Sequence, residues 1–116
     1  MVNAQEQDST GMVRKLVASS TGAISYIAFP YIDGSIKTLE INGVSATNAN
    51  VMTNKWTLWS YEHMYTRKKP NALTKKFVQY VLSEKIQHSL VRQMGYIPIM
   101  DMQVTRQLNG DVQRRK

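Results

Sequence analysis

The stretch Ser20-Thr21-Gly22-Ala23-Ile24-Ser25-Tyr26-Ile27-Ala28-Phe29 decides how the rest of the chain is read. Turn residues open it, an apolar run broken only by the Ser25 hydroxyl follows, and Pro30 closes it. A run this short, rich in Ile, Tyr and Phe, predicts a strand buried on both faces. Upstream, Met12, Val13, Leu16 and Val17 recur at helical spacing behind the capping types Asp8, Ser9 and Thr10. They predict a helix over residues 8–18. Helix, tight glycine turn and buried strand together are the local pattern of an α/β sheet.

Downstream, Asp33-Gly34 and Asn42-Gly43 are turn pairs. Between them residues 36–41 predict a second strand, with Leu39 and Ile41 on one face. Residues 47–54 are polar and predict at most a short helix capped by Thr47 or Asn48. A third strand is expected over residues 60–66, with Tyr61, Met64 and Tyr65. Pro70 and Asn71 mark a helix start, and Leu73, Phe77, Tyr80 and Val81 are expected to form that helix's buried face. Ser83 is placed to cap another helix, striped by Ile86, Leu90, Val91 and Met94 and closed by Gly95. Residues 96–100 read as extended. From Gln103 the chain is polar, with Asn109-Gly110 as a last turn.

At 116 residues the chain has the length of one domain, and 42% hydrophobic and 20% charged residues are globular values. It has no cysteine, which excludes a disulfide framework and thiolate zinc sites. The polar opening carries Glu6 and Asp8 and does not read as a signal peptide. No apolar run reaches the ~20 residues of a membrane span, so these residues are expected to be soluble. The net charge is +7, concentrated in Arg67-Lys68-Lys69, Lys75, Lys76, Lys85, Arg92 and Arg114-Arg115-Lys116. A basic surface can attract nucleic acid, anionic lipid or an acidic partner. A nucleic-acid module needs exposed aromatics interleaved with the basic residues. Here the aromatics fall mainly in the strand-like runs, so a solvated basic face is the favoured reading.

Catalytic signatures are missing: no glycine-rich phosphate loop, no Walker loop and no nucleophile elbow. His63 and His88 are far apart in sequence, and His63 beside Glu62 has no metal-ligand spacing. The one anion-binding candidate is Asp8-Ser9-Thr10-Gly11, where a helix start aims free N–H groups and hydroxyls outward. Its signal is weak, because most helices start this way and Asp8 repels an anion. No catalytic, phosphate-binding or metal residue is assigned, and no cofactor.

Several motifs in order carry a resemblance. They are Ser9-Thr10-Gly11-Met12-Val13, Gly22-Ala23-Ile24-Ser25-Tyr26 and Leu39-Glu40-Ile41-Asn42-Gly43-Val44, then Trp56-Thr57-Leu58-Trp59 with Met64-Tyr65-Thr66. Phe77-Val78-Gln79-Tyr80-Val81-Leu82-Ser83 and Gly95-Tyr96-Ile97-Pro98 complete the series. Over residues 8–100 it resembles the C-terminal part of the phosphate-binding subunit of bacterial Pst-type phosphate ABC transporters, with a Gram-positive flavour. Ser25 stands where that family often has Gly, and Thr57 where Pro is common.

The resemblance implies a partial periplasmic-binding-protein type II architecture of the α/β class, a fragment of two lobes with about three strands and three to four helices. Residues 1–58 would end the second lobe, 59–66 would cross the hinge, 67–102 would return to the first lobe, and 103–116 would be a polar basic tail. The implied function is solute binding for phosphate import, not enzymatic activity. The implied partners are inorganic phosphate and the transporter permease, at the extracellular face of the cell membrane, where the full protein would be lipid-anchored. The family's phosphate ligands would lie upstream of these residues, in a missing N-terminal part. The apolar run at residues 23–29 would then lack neighbours, so a homo-oligomer is expected. The alternative is a small basic nucleic-acid-binding or protein-interaction module; the resemblance itself leads us to expect no nucleic acid.

Overall fold

The Ser9 hydroxyl sets the start of the first helix, α1 (Thr10–Ser19), by accepting a hydrogen bond from the Met12 N–H at 3.3 Å. The computed structural model describes residues 4–115. The chain divides into two compact units, Met1–Thr38 and Leu39–Lys116. In the first, Val13, Leu16 and Val17 are half-buried on one side of α1, as their spacing predicts, whereas Met12, expected on the same face, is exposed. Gly22, at φ +80°, turns the chain out of the helix. A short 3-10 turn, Phe29–Tyr31, follows with Pro30 near its start. Arg14 on α1 reaches back to this turn. Its guanidinium pairs with Asp33 at 2.9 Å and donates to the Tyr31 carbonyl at 3.4 Å.

Between Gly22 and the 3-10 turn the predicted buried strand is not formed. Residues 23–28 carry no strand assignment, and Ile24 and Tyr26 are 76% and 87% exposed. The reason is physical: a strand exists by pairing, and nothing among the described residues offers this one a neighbouring edge. The other two expected strands end the same way. Of residues 36–41 only Ile41 pairs, in an isolated bridge to Val44 across a tight turn. Asn42 and Gly43 supply that turn's positive φ angles of 53° and 74°. Residues 60–66 carry no strand assignment.

In the second unit, α2 (Asn48–Met52) is capped by the Thr47 hydroxyl, which accepts from the Asn50 N–H at 3.2 Å. Helix α3 (Ala72–Val81) is capped by the Asn71 side chain, which accepts from the Thr74 N–H at 2.8 Å, but its expected buried face is not covered: Leu73, Phe77 and Tyr80 are exposed. The next helix, α4, starts at Glu84–Ile86 and widens into a π turn over Gln87–Val91. Ser83 precedes it as expected, but its hydroxyl donates back to the Tyr80 carbonyl at 2.7 Å and caps nothing. Gly95, at φ +83°, ends this helical run where the sequence places its stop.

The only sheet among the described residues lies in the segment expected to be a polar tail. Strands β1 (Val104–Arg106) and β2 (Val112–Arg114) pair antiparallel, with Thr105 opposite Gln113. The turn between them contains Asn109-Gly110, with Gly110 at φ +92°. Among the described residues the buried apolar side chains are Val51, Ile86, Pro98, Met102 and Val104, all in the second unit. The architecture is therefore mixed helix and small sheet. It is compatible with the α/β class but lacks the three strands expected at residues 23–29, 36–41 and 60–66.

Candidate functional site

The most developed polar cluster lies where β1 meets the segment from Asn54 to Tyr61. Asn54 sits at φ +59°, a left-handed position that Asn tolerates better than most residues. Its side-chain oxygen accepts from the Trp59 indole N–H at 2.9 Å and from Arg106 at 3.4 Å. Arg106 also donates to the Thr57 carbonyl at 2.9 Å, and its guanidinium carbon lies 4.5 Å from the Trp59 ring centroid. That distance is within cation–π range. Tyr61 meets Trp59 edge-on at 5.3 Å and 88°, and its hydroxyl donates to the Val104 carbonyl at 2.7 Å. Burial, the larger effect, raises the Tyr61 pKa above the usual phenol value, against an opposing pull from Arg115. These donors and acceptors are turned onto one another. The buried Arg106 Nε is the exception and has no partner among the described residues. Chemically the cluster is a clasp for the hairpin; it presents no reacting pair.

A second cluster joins α4 to the turn at residues 98–101. Asp101 accepts from Arg92 at 2.7 Å, and His88 Nε2 lies 3.4 Å from its other oxygen. Glu84 stands 4.0 Å from His88 Nδ1. Beneath these groups the buried Gln87 side chain donates to the Val81 carbonyl and accepts from the Ile99 N–H, both at 2.9 Å. His88 is thus held between Glu84 and Asp101, beside the Arg92–Asp101 ion pair. His63 is exposed and lies 6.1 Å from the Tyr65 ring. Among the described residues no group of three His, Cys, Asp or Glu could hold a metal ion.

The anion candidate at the start of α1 is already occupied by the chain itself. The Met12 and Val13 N–H groups both donate to the Ser9 carbonyl at 3.1 Å, in addition to the Ser9 hydroxyl cap. Nothing further converges there. Arg67, Lys68, Lys69, Lys75 and Lys76 are exposed on and before α3, while the Arg115 guanidinium donates to the Ile99 carbonyl. Lys116 lies outside the described residues. No helix among the described residues is long and apolar enough to cross a membrane.

The clusters around Arg106 and Asp101 were not foreseen. The first had a signal, since Val104 and Arg106 alternate before an Asn-Gly turn and Val112 follows it. The second had none beyond helical spacing, because Asp101 reaches His88 and Arg92 only once the chain reverses at Gly95.

No family model matches the chain. It is 44% identical over 105 residues to the phosphate-binding protein PstS of Bacillus subtilis (strain 168), a match that covers 90% of this chain. Over that span the chain is similar to PstS. Phosphate-binding protein PstS 2 of Streptococcus agalactiae, serotypes V and III, is 29% identical to it over 93 residues, or 79% of the chain. The chain spans about a third of these relatives, 35% of the Bacillus subtilis PstS and 31% of the streptococcal proteins. The greater part of a PstS therefore has no counterpart among these residues.

Proposed function

We propose that these residues are the C-terminal part of a phosphate-capturing, solute-binding protein that serves a phosphate ABC importer. The 44% identity to Bacillus subtilis PstS over 90% of the chain carries this reading. In it the protein binds and releases inorganic phosphate without changing it, at the outer face of the membrane, and hands it to the transporter permease. Residues 1–58 belong to the second lobe, 59–66 to the hinge and 67–102 to the first lobe. The phosphate ligands come from the part of the protein that precedes these residues. The exposed Ile24, Tyr26, Leu73 and Phe77 support the reading, because apolar side chains of this size are ordinarily covered in a complete protein.

Titration calorimetry of a hybrid tests the proposal. The matched segment of Bacillus subtilis PstS is replaced by this chain. The hybrid should bind one phosphate, and the chain alone should give no binding heat. A folded hybrid that does not bind phosphate would overturn the reading. The same exposed groups predict that the chain alone self-associates. Sedimentation velocity at micromolar concentration should show dimers or larger species, and a monodisperse monomer would count against this.

A further inference from the structure

The bonds of the β1–β2 hairpin run to residues on either side of one short crossing. Just ahead of β1, the Gln103 N–H donates to the Met52 carbonyl at the end of α2 at 3.0 Å. Arg106 donates to the Thr57 carbonyl at 2.9 Å and reaches the Asn54 side-chain oxygen at 3.4 Å. The Tyr61 hydroxyl donates to the Val104 carbonyl at 2.7 Å, and the Arg106 guanidinium carbon lies 4.5 Å from the Trp59 ring centroid. At the far end of the hairpin the Arg115 N–H donates to the Gln103 carbonyl at 2.8 Å, and the Arg115 guanidinium donates to the Ile99 carbonyl. Residues 62–66 differ. They are exposed, and the bonds found there among the described residues are local: the Thr66 hydroxyl to the Arg67 carbonyl, and the His63 ring beside Tyr65.

On the reading under Proposed function, Met52, Asn54 and Thr57 belong to the second lobe, Trp59 and Tyr61 to the hinge, and Ile99 to the first lobe. One hairpin holds all three. Arg106 is the anchor a simpler side chain could not replace, because its planar fork reaches two oxygens while its face lies against an indole. Its buried Nε has no partner among the described residues, which costs free energy. The contacts to Thr57, Asn54 and Trp59 must outweigh that cost to keep the guanidinium in place. We infer that the hairpin is a strap across the hinge, with Arg106 and Tyr61 as positioning residues that resist lobe opening and so slow the release of phosphate. A rotation of one lobe against the other has to stretch or break these bonds, whereas residues 62–66 have only local bonds and can absorb the bend. The inference rests on that functional reading, but the strap itself is read in distances that need no phosphate.

Spin labels on the full chain test the strap. The chain has no cysteine, so Lys55→Cys and Lys85→Cys, both at exposed positions, label the two sides of the crossing selectively. Double electron–electron resonance should give one narrow distance distribution. Arg106→Met keeps much of the side chain's bulk and removes its donors. It should broaden that distribution while the far-UV circular dichroism stays unchanged, and an unbroadened distribution overturns the inference. Where Arg106→Met loses the circular dichroism of the fold, Tyr61→Phe decides, because it removes a single hydroxyl. It too should broaden the distribution, and an unchanged width overturns the inference. Stopped-flow measurement of phosphate release from the hybrid gives a second readout. Arg106→Met should speed release by about fivefold, the scale on which residues outside a binding site alter coupling. Arg106→Lys, which keeps the charge and loses the fork, should fall between the two. An Arg106 that merely supports the fold would lower the thermal midpoint and leave the release rate unchanged, and that result overturns the inference. A hybrid that binds no phosphate sinks the functional reading, and the label distances still decide whether the strap holds.

Discussion

At the scale of single residues, two titrating groups report local structure that can be checked directly. Asp33 accepts from both the hydroxyl and the backbone N–H of Ser35, and these bonds, in that order, lower its pKa below the ordinary value of 3.8. Burial opposes them slightly and Arg14 adds a smaller pull downward. A lowered carboxyl pKa contributes stability above the unfolded value, lost as pH falls through the folded one. NMR titration of Ser35→Ala should show the Asp33 midpoint moving up toward 3.8; an unmoved midpoint would contradict the assignment. Tyr61 behaves in the opposite sense. Its pKa is raised above 10.0, chiefly by burial, and a phenolate could not donate to the Val104 carbonyl. Its contribution is present below the unfolded phenol pKa and is lost as pH rises through the folded one, on the alkaline side of about 10. Removing the hydroxyl in Tyr61→Phe should cost about 1 kcal/mol in a urea melt at neutral pH. A change within error would show that the bond to Val104 contributes little.

At the scale of elements, the helices were legible in the sequence and the strands were not. Helices carry their own hydrogen bonds, so Ser9, Thr47 and Asn71 as caps, and Gly95 as a stop, could be read locally. Strands depend on partners that local sequence does not name. The apolar run at 23–29 has a strand composition but no partner among the described residues, and residues 60–66 share that fate. The hairpin was passed over because its strands are short and polar, although its Asn109-Gly110 turn was visible. The clasp of Arg106 on Trp59 joins positions far apart in sequence, which periodicity cannot reveal. The link between α3 and α4 is another non-local device, since the buried Gln87 bridges the Val81 carbonyl and the Ile99 N–H. Gln87→Ala deprives two backbone groups of their partner, and chemical denaturation should show a loss of about 2 kcal/mol. A loss under ~0.5 kcal/mol would mean that water replaces both bonds.

At the scale of the whole molecule, function was legible as a resemblance and not as a site. The motif series from Ser9 to Pro98 points to a phosphate-capturing protein, and similarity to PstS over 90% of the chain agrees with it. The polar clusters at Arg106 and Asp101 serve packing, and the helix start at Ser9 is closed by its own cap. On the proposed reading the chain is about a third of a phosphate-binding protein, matching 35% of the Bacillus subtilis PstS. Calorimetric titration of phosphate into the hybrid, with the chain alone as control, addresses that account most directly. It predicts one phosphate bound per hybrid and none by the chain alone; stoichiometric binding by the chain alone, or a folded hybrid with no binding, would contradict it.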